Sequence, residues 1–332
     1  MTAADSATTT ATAPATALSI DAGQTGIRAL LRHEGHADTT WDFGGIRTDV
    51  PLIPQLSLVV GQVAAAAGVG ISVVSAGVSG LTAEETHPDL LRDAGMAFGV
   101  REVYLAHDSV TSYLGALGDD LGVVVAAGTG VVTLAVGAER VTRIDGWGNL
   151  IGDAGSGYWI GRAALDAVMR AYDGRGQKTR LTDVMVRDFP DLEHAYIDLQ
   201  SDASRVGRIA AYARAVTELA PLDVVAASIC GAAAAELVLS AATGLRVVGQ
   251  GASPVVCGIG GVLRSAQIRT PFERGLRAIW PEVDIRPALS NALHGAGLLP
   301  HLGSASALWE RVAVSRRVAE AQGEAVGVHL VQ

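Results

Sequence analysis

The chain has 332 residues and a formal net charge of −9, an acidic balance that repels phosphodiester backbones and, with no basic stripe to offset it locally, argues against nucleic acid as a partner. Apolar residues make up 49% of it, leaning on small Ala and Val beside 40 glycines and only 5% aromatics, which suits closely packed sheets and helices joined by tight turns. At roughly 100 to 200 residues per domain, the length exceeds one ordinary core and fits two α/β lobes.

Residues 1–17 contain neither Lys nor Arg and no apolar core, so they read as a disordered tail rather than a secretory signal. Ala17 to Leu31, ALSIDAGQTGIRALL, is a strand, a small Gly-and-Thr turn and a second strand. A helix is predicted near 54–67, a strand near 71–77, a helix near 88–98, a strand near 101–106 and a helix near 109–117. The uncharged span from Val50 to Ala83 is not read as crossing a membrane, because Pro51, Pro54, Gln55, Gln62 and Gly68-Val69-Gly70 divide it into a helix and a strand. Gly122 to Val136, GVVVAAGTGVVTLAV, then repeats the opening hairpin. Helices are predicted near 156–172, 203–220 and 223–243, a strand near 254–259, and closing helices after it. The reading is a first lobe over 18–118, a second over 119–300, and a C-terminal helix over 301–332 that returns to the first lobe. Cys230 and Cys257 are the only cysteines and belong to no metal-ligand pattern; a reducing cytoplasm is the expected location.

The two turns carry the chemistry. A glycine turn between strands exposes backbone N–H groups, and a Thr hydroxyl adds another donor, so two such turns suit one polyphosphate. The plain alternative is an ordinary hairpin turn of small residues; the repetition, and Asp21 before the first turn only, favour the phosphate reading. A carboxylate at a strand end suits a hydrated magnesium ion. Gly146 to Leu165, GWGNLIGDAGSGYWIGRAAL, reads as a glycine-rich loop feeding a helix whose apolar positions are Ile160, Ala164, Val168 and Tyr172. Ser156 is placed to cap that helix and Gly174 to end it. Within the loop, Trp147 is either a core anchor or a site residue, and Asp153 either a turn residue or a site residue. Asp108 follows the strand EVYLAH and opens a helix, where it is an N-cap or something more.

With IDAGQTG at 20–26, GVSG at 77–80, HDS at 107–109, AAGTG at 126–130, GWGNLIGDAGSGYWIGR at 146–162 and CGIGGVLRS at 257–265, the chain resembles the N-acetylglucosamine kinase and BadF/BadG/BcrA/BcrD ATPase family from about Leu18 to about Pro300. That family stands within the superfamily of actin, heat-shock chaperone ATPases and sugar kinases. The resemblance implies two ribonuclease-H-like, actin-like ATPase lobes with a nucleotide and sugar cleft between them. It implies ATP and Mg2+ as cofactors and an amino sugar as partner, with Gly23, Gln24 and Thr25 as the first phosphate loop and Gly128, Thr129 and Gly130 as the second. Gly258, Gly260 and Gly261 match the adenosine-side motif, and Asp21 would hold Mg2+ through water. Asp108 matches the general base that takes the proton of the attacking sugar hydroxyl, and Ser79, Gly80, Asp108, Gly146, Trp147 and Asp153 match positions that shape the sugar pocket. His107 is read as packing or as support for its neighbour.

The implied activity is N-acetylglucosamine 6-phosphorylation by a homodimer, with glucosamine or N-acetylmuramic acid as alternative acceptors. Two departures stand out: Gly26 occupies the place of a Lys or Arg, with Arg28 two residues later, and HADTTWDFGG at 36–45 has no Asn for the acetamido group. Dehydratase-activating relatives hold an iron-sulfur cluster that Cys230 and Cys257 do not supply. A catalytically silent sugar sensor is a reading from another class, but it would carry a basic helix-turn-helix segment absent from residues 1–17.

Overall fold

The structure is a computed structural model that describes residues 16–317; the expected tail lies outside these residues except at its last two positions. In chain order the first elements are β1 (Ala17–Gly23), β2 (Gly26–Arg32), β3 (Thr39–Phe43), α1 (Leu52–Ala67), β4 (Val73–Val78), α2 (Pro88–Gly95), β5 (Glu102–His107) and α3 (Asp108–Leu117). Then come β6 (Gly122–Ala127), β7 (Val131–Val136), β8 (Val141–Ile144), α4 (Gly157–Tyr172), α5 (Leu181–Asp188), α6 (Ala195–Ser201), α7 (Arg205–Leu219) and α8 (Val224–Val247). The last are β9 (Val255–Ile259), α9 (Ala266–Ile279), β10 (Asp284–Ile285), α10 (Ala292–Ala296) and β11 (Val312–Arg316).

Two compact units result. The first runs to Thr111 and regains the chain at Ala292–His301 and from Glu310; the second is Ser112–Asn291 with Leu302–Trp309. The division thus falls inside α3 rather than after residue 118. The helix expected over 301–332 is not what the described part forms: Val312–Arg316 is a strand, antiparallel to β5 in the first unit, and residues 318–332 lie outside the description. The strand is made by its pairing with β5, Val312 opposite Ala106 through Arg316 opposite Glu102.

The first unit holds a six-stranded sheet in the order β11-β5-β4-β1-β2-β3, and the second a five-stranded sheet in the order β10-β9-β6-β7-β8. Apart from β11 the two orders coincide: an antiparallel three-strand meander, then two parallel strands beside its first strand. The repeated hairpin is therefore a repeated topology. β4 and β5 read as almost unbroken apolar runs because they are parallel and covered, with Val74, Ala76, Val103 and Leu105 fully buried. α1 turns Leu52, Leu56, Val59, Val60 and Val63 inward at helical spacing.

In the second unit α8 is long and apolar enough to cross a membrane by composition alone, with a mean hydropathy of 1.9. Its Ile229, Cys230, Ala233, Leu237 and Ala241 are instead buried in the core shared with β6, β9 and α4. Asp223 caps it, accepting from the Ala226 N–H at 2.9 Å and from the Arg180 N–H at 2.6 Å. α4 and α7 cross where Gly161 meets the backbone of Ile209: a Cβ on Gly161 would strike the Ile209 carbonyl oxygen.

That contact gives a first prediction with a contested sign. Alanine is the better helix former by about 1 kcal/mol, yet a backbone carbonyl cannot rotate away, and overpacking a fitted core costs about 1–3 kcal/mol. Gly161→Ala should therefore lower the melting temperature. A melting temperature at or above that of the parent would show that α4 and α7 separate freely.

Candidate functional site

In the first unit, the chain ends of three neighbouring strands meet. β1 and β2 pair with Gly23 opposite Gly26, so the turn is Gln24-Thr25 alone. Among the described residues the N–H groups of Gln24 and Thr25 have no partner. The turn is backed by residues the sequence reading did not single out: Ile46 N–H donates to the Gly23 carbonyl at 2.9 Å, and a Cβ on Gly45 would strike the Gln24 carbonyl. Gly44-Gly45 was the available signal, since paired glycines after a strand mark close backbone approach. Ser79 follows β4 and donates its N–H to the Ala22 carbonyl at 2.9 Å, and Gly80 has φ +73°.

Asp21 stands opposite Arg28 on β2 and Gly77 on β4. Gly77 has no side chain because α3 lies against it: a Cβ there would collide with the Thr111 hydroxyl, which donates to the Asp108 carbonyl at 3.1 Å. The bare row at Gly77 thus seats the start of α3, with Asp108 as its first residue, near Asp21. Burial, then the charge of Asp108, push the Asp21 carboxyl up to about 6, while Arg28 acts in the opposite sense. Arg28 itself is exposed, 3.9 Å from Asp42.

The cap position before Asp108 is His107, and the Asp108 carboxylate accepts no backbone N–H among the described residues. Its Oδ1 lies 2.9 Å from His107 Nδ1. The cap alternative for Asp108 is therefore not the arrangement found.

In the second unit the Gly128–Gly130 turn joins β6 to β7, with Gly128 N–H donating to the Gly130 carbonyl at 2.8 Å. The turn's carbonyls face α4: Gly157 N–H donates to Gly128 at 2.8 Å and Tyr158 N–H to Thr129 at 3.0 Å. Ser156 caps the same helix, accepting from Trp159 N–H at 3.2 Å. The helix N-terminus is thereby spent on the turn, whereas the N–H groups of Thr129 and Gly130 and the Thr129 hydroxyl have no partner among the described residues. Gly260, at φ +96°, packs on Ala127 so closely that a Cβ would meet its carbonyl; Gly258 packs under Leu263, and Gly261 faces open space.

Asp153 is buried behind this turn. A Cβ on Gly130 would lie 2.6 Å from its Oδ2, and the nearby N–H groups of Val131 and Gly148 favour its ionised form. Burial nonetheless pushes its carboxyl above the usual range, and Asp145 adds to the rise. Asp145 escaped the sequence reading. Its Oδ1 accepts from Asp153 N–H and its Oδ2 from Ala154 N–H, both at 2.9 Å, which ties the ends of the Gly146–Asp153 loop together. Asp145 and Asp153 hold φ values of 57° and 58°, a left-handed conformation costing about 1 kcal/mol or more each. Between them Trp147 is 60% exposed with the Arg143 guanidinium 4.5 Å over its ring, so the core-anchor alternative for Trp147 is not the one found.

Each unit thus gathers part of the expected set: Asp21, Gly23 to Thr25, Ser79, Gly80 and Asp108 in the first; Gly128 to Gly130, Gly146, Trp147, Asp153, Gly260 and Gly261 in the second. Two glycine-turned meanders, each continued by parallel strands, define the hexokinase- and actin-like ATPase fold, and a hexokinase structure matches it with a TM-score of 0.51 at 11% identity, a likeness of fold alone. The chain belongs to the BadF/BadG/BcrA/BcrD ATPase family, whose model matches residues 18–298; ATP is the nucleotide of that family. It is 30% identical over 219 residues to an N-acetylmuramic acid/N-acetylglucosamine kinase of Clostridium acetobutylicum, covering 64% of this chain and 70% of that protein. It is 47% identical over 73 residues to an N-acetyl-D-glucosamine kinase of Dictyostelium discoideum, 22% of this chain and 23% of that protein. A Chromobacterium violaceum structure described as a candidate N-acetylglucosamine kinase matches with a TM-score of 0.70 at 22% identity, over 86% of this chain and 99% of that one.

Two predictions follow from the carboxylates. Asp21 has a folded pKa of about 6 against 3.8 unfolded, so its neutral form contributes stability below 3.8 that is lost as pH rises through 6. Asp21→Asn should raise the melting temperature at pH 7.5 in metal-free buffer, by at most about 3 kcal/mol of stability, and leave a flatter profile between pH 4 and 6. An unchanged profile would mean that Asp21 is an ordinary solvated carboxylate. Asp145→Ala leaves the N–H groups of Asp153 and Ala154 without acceptors, at about 1–3 kcal/mol. Limited chymotrypsin digestion should then cut at Trp147 or Leu150 earlier than in the parent; equal cutting rates would deny Asp145 its tie.

Proposed function

We propose that the protein is an ATP-dependent sugar kinase acting on an amino sugar, with the 6-hydroxyl of N-acetylglucosamine as the first candidate acceptor. The observation that carries this reading is Asp108: a partly exposed carboxylate at a strand-to-helix junction, spent on no backbone group, beside a second carboxylate whose proton affinity is raised by it. Buried or paired carboxylates of that kind are the usual material of general bases. The named activities of the Clostridium and Dictyostelium relatives support an amino sugar.

In this reading the unpartnered N–H groups of Thr129 and Gly130 in the second unit, and those of Gln24 and Thr25 in the first, are each suited to phosphate oxygens of ATP. Asp108 accepts the proton of the acceptor hydroxyl as that oxygen bonds to the γ-phosphorus and the bond to the β-phosphate oxygen breaks, so that a sugar phosphate, ADP and protonated Asp108 result. Trp147 offers its exposed ring to the apolar face of a pyranose. Asp21 suits Mg2+ held through water, since its carboxylate makes no hydrogen bond among the described residues and sits in the field of Asp108. A bound Mg2+ would neutralise charge on the phosphates. A reducing cytoplasm is the proposed place of action.

N-acetylmuramic acid is the second acceptor to test, on the strength of the Clostridium relative's two substrates. Purified protein with Mg-ATP should release ADP with at least one of N-acetylglucosamine, glucosamine and N-acetylmuramic acid. ATP binding without turnover of any of them would instead favour a sugar sensor. With the preferred sugar, Asp108→Asn should melt no lower than the parent, since it relieves the charge on Asp21, and should keep its ADP affinity while kcat falls by about 10² to 10⁴. A near-parental kcat would remove Asp108 from the reaction.

A further inference from the structure

Arg143 stands on β8 opposite Leu134 of β7, so the two side chains leave the same face of the sheet. Val132, two positions before Leu134 and on that same face, is where Gly146 packs: a Cβ on Gly146 would lie 3.0 Å from its Cγ2. Strand and loop thereby bring Arg143 and Trp147 together, with the guanidinium 4.5 Å over the indole ring. Asp145 ties the loop backbone at Asp153 and Ala154, so the pair stands on fixed supports. Arg143 is exposed, and the ring keeps 60% exposure with the guanidinium in place, which leaves it room for a sugar. A guanidinium carries five N–H donors in one plane, and a contact made through its positive charge with a ring does not satisfy them. Those of Arg143 have no hydrogen-bond or carboxylate partner among the described residues. The carboxylate closest in sequence, Asp145, gives both its oxygens to backbone N–H groups.

We propose that Arg143 sets the class of acceptor: it binds a carboxylate carried by the sugar that lies at Trp147, so that the site takes acidic amino sugars as well as neutral ones. This rests on the sugar kinase reading and on Trp147 as part of its acceptor site. An arginine fork matches a carboxylate with two parallel hydrogen bonds, both assisted by charge. The chain's net charge of −9 opposes an anionic acceptor at long range, so a local cation is what makes one acceptable. N-acetylmuramic acid is N-acetylglucosamine with a lactyl ether that ends in a carboxylate. The two sugars therefore differ by the group that Arg143 holds.

Arg143→Gln removes the charge and keeps a polar side chain, whereas Arg143→Lys keeps the charge and loses the fork. With Mg-ATP and each sugar in turn, Arg143→Gln should raise the KM for N-acetylmuramic acid about ten- to hundred-fold relative to that for N-acetylglucosamine. Arg143→Lys should recover part of the loss. Calorimetry with each sugar and no ATP reads the same preference without turnover: the parent should bind N-acetylmuramic acid with an affinity that falls as salt rises, and Arg143→Gln should lose that dependence. An equal loss on both sugars would reduce Arg143 to a support for the Trp147 ring, and a raised KM for ATP alone would assign its charge to the phosphates. Either result overturns the proposal. So does a parent that phosphorylates N-acetylglucosamine but does not bind N-acetylmuramic acid, and in that case the kinase reading stands. If the parent phosphorylates neither sugar, the kinase reading fails and the calorimetry decides this proposal by itself: binding of N-acetylmuramic acid that is absent, or unchanged in Arg143→Gln, ends it.

Discussion

The turn between β6 and β7 is held by its oxygens, and much else depends on that choice. The carbonyls of Gly128 and Thr129 receive the first N–H groups of α4, and Gly128 N–H folds back on Gly130. The backbone is therefore rigid, yet the donors of Thr129 and Gly130 are not used in making it so. A turn fixed through its N–H groups would be equally stable and chemically blank. The surroundings enforce the same polarity with the absence of side chains: Gly260 must lie on Ala127, and Gly130 must leave room for Asp153. One buried carboxylate, Asp153, then packs directly against the turn at Gly130 while belonging to the glycine-rich loop. The loop, in turn, is closed by Asp145.

Carboxylates thus divide the labour. In the second unit they are consumed by backbone N–H groups and organise the chain. In the first they are left open, and the field of Asp108 on Asp21 makes the pair costly without a positive partner. The distinction lies in what faces each oxygen, and it separates groups that shape a site from groups able to act in one.

The hairpins, the parallel strands and the long helices were legible because each has a strong local signature: β-branched runs around bare glycine turns, covered strands without polar interruption, helices with repeated inward positions. α5 and α6 were not, since Leu181 and Met185 or the single buried Ala195 give too few turns for a period to show. β11 was missed for a different reason. Its pairing with β5 joins residues more than two hundred positions apart, and no window of sequence contains the partner that makes it a strand. At the site, Thr129, Trp147 and Asp108 were visible by residue type. The roles of Asp145 and Gly45 were not, because each is defined by what it touches: two backbone N–H groups and a carbonyl.

β11 also bears on how the chain comes to be folded. The first unit begins the sequence but is closed by its last described strand, so β5, which delivers His107 and Asp108, has an open edge until residues 312–316 arrive. During synthesis the second unit emerges whole while the first still lacks its outermost strand. An unpaired edge of that kind invites pairing with other chains. The strand that leads into Asp108 therefore keeps an open edge while more than two hundred further residues are made, and gains its outer neighbour only when residues 312–316 follow.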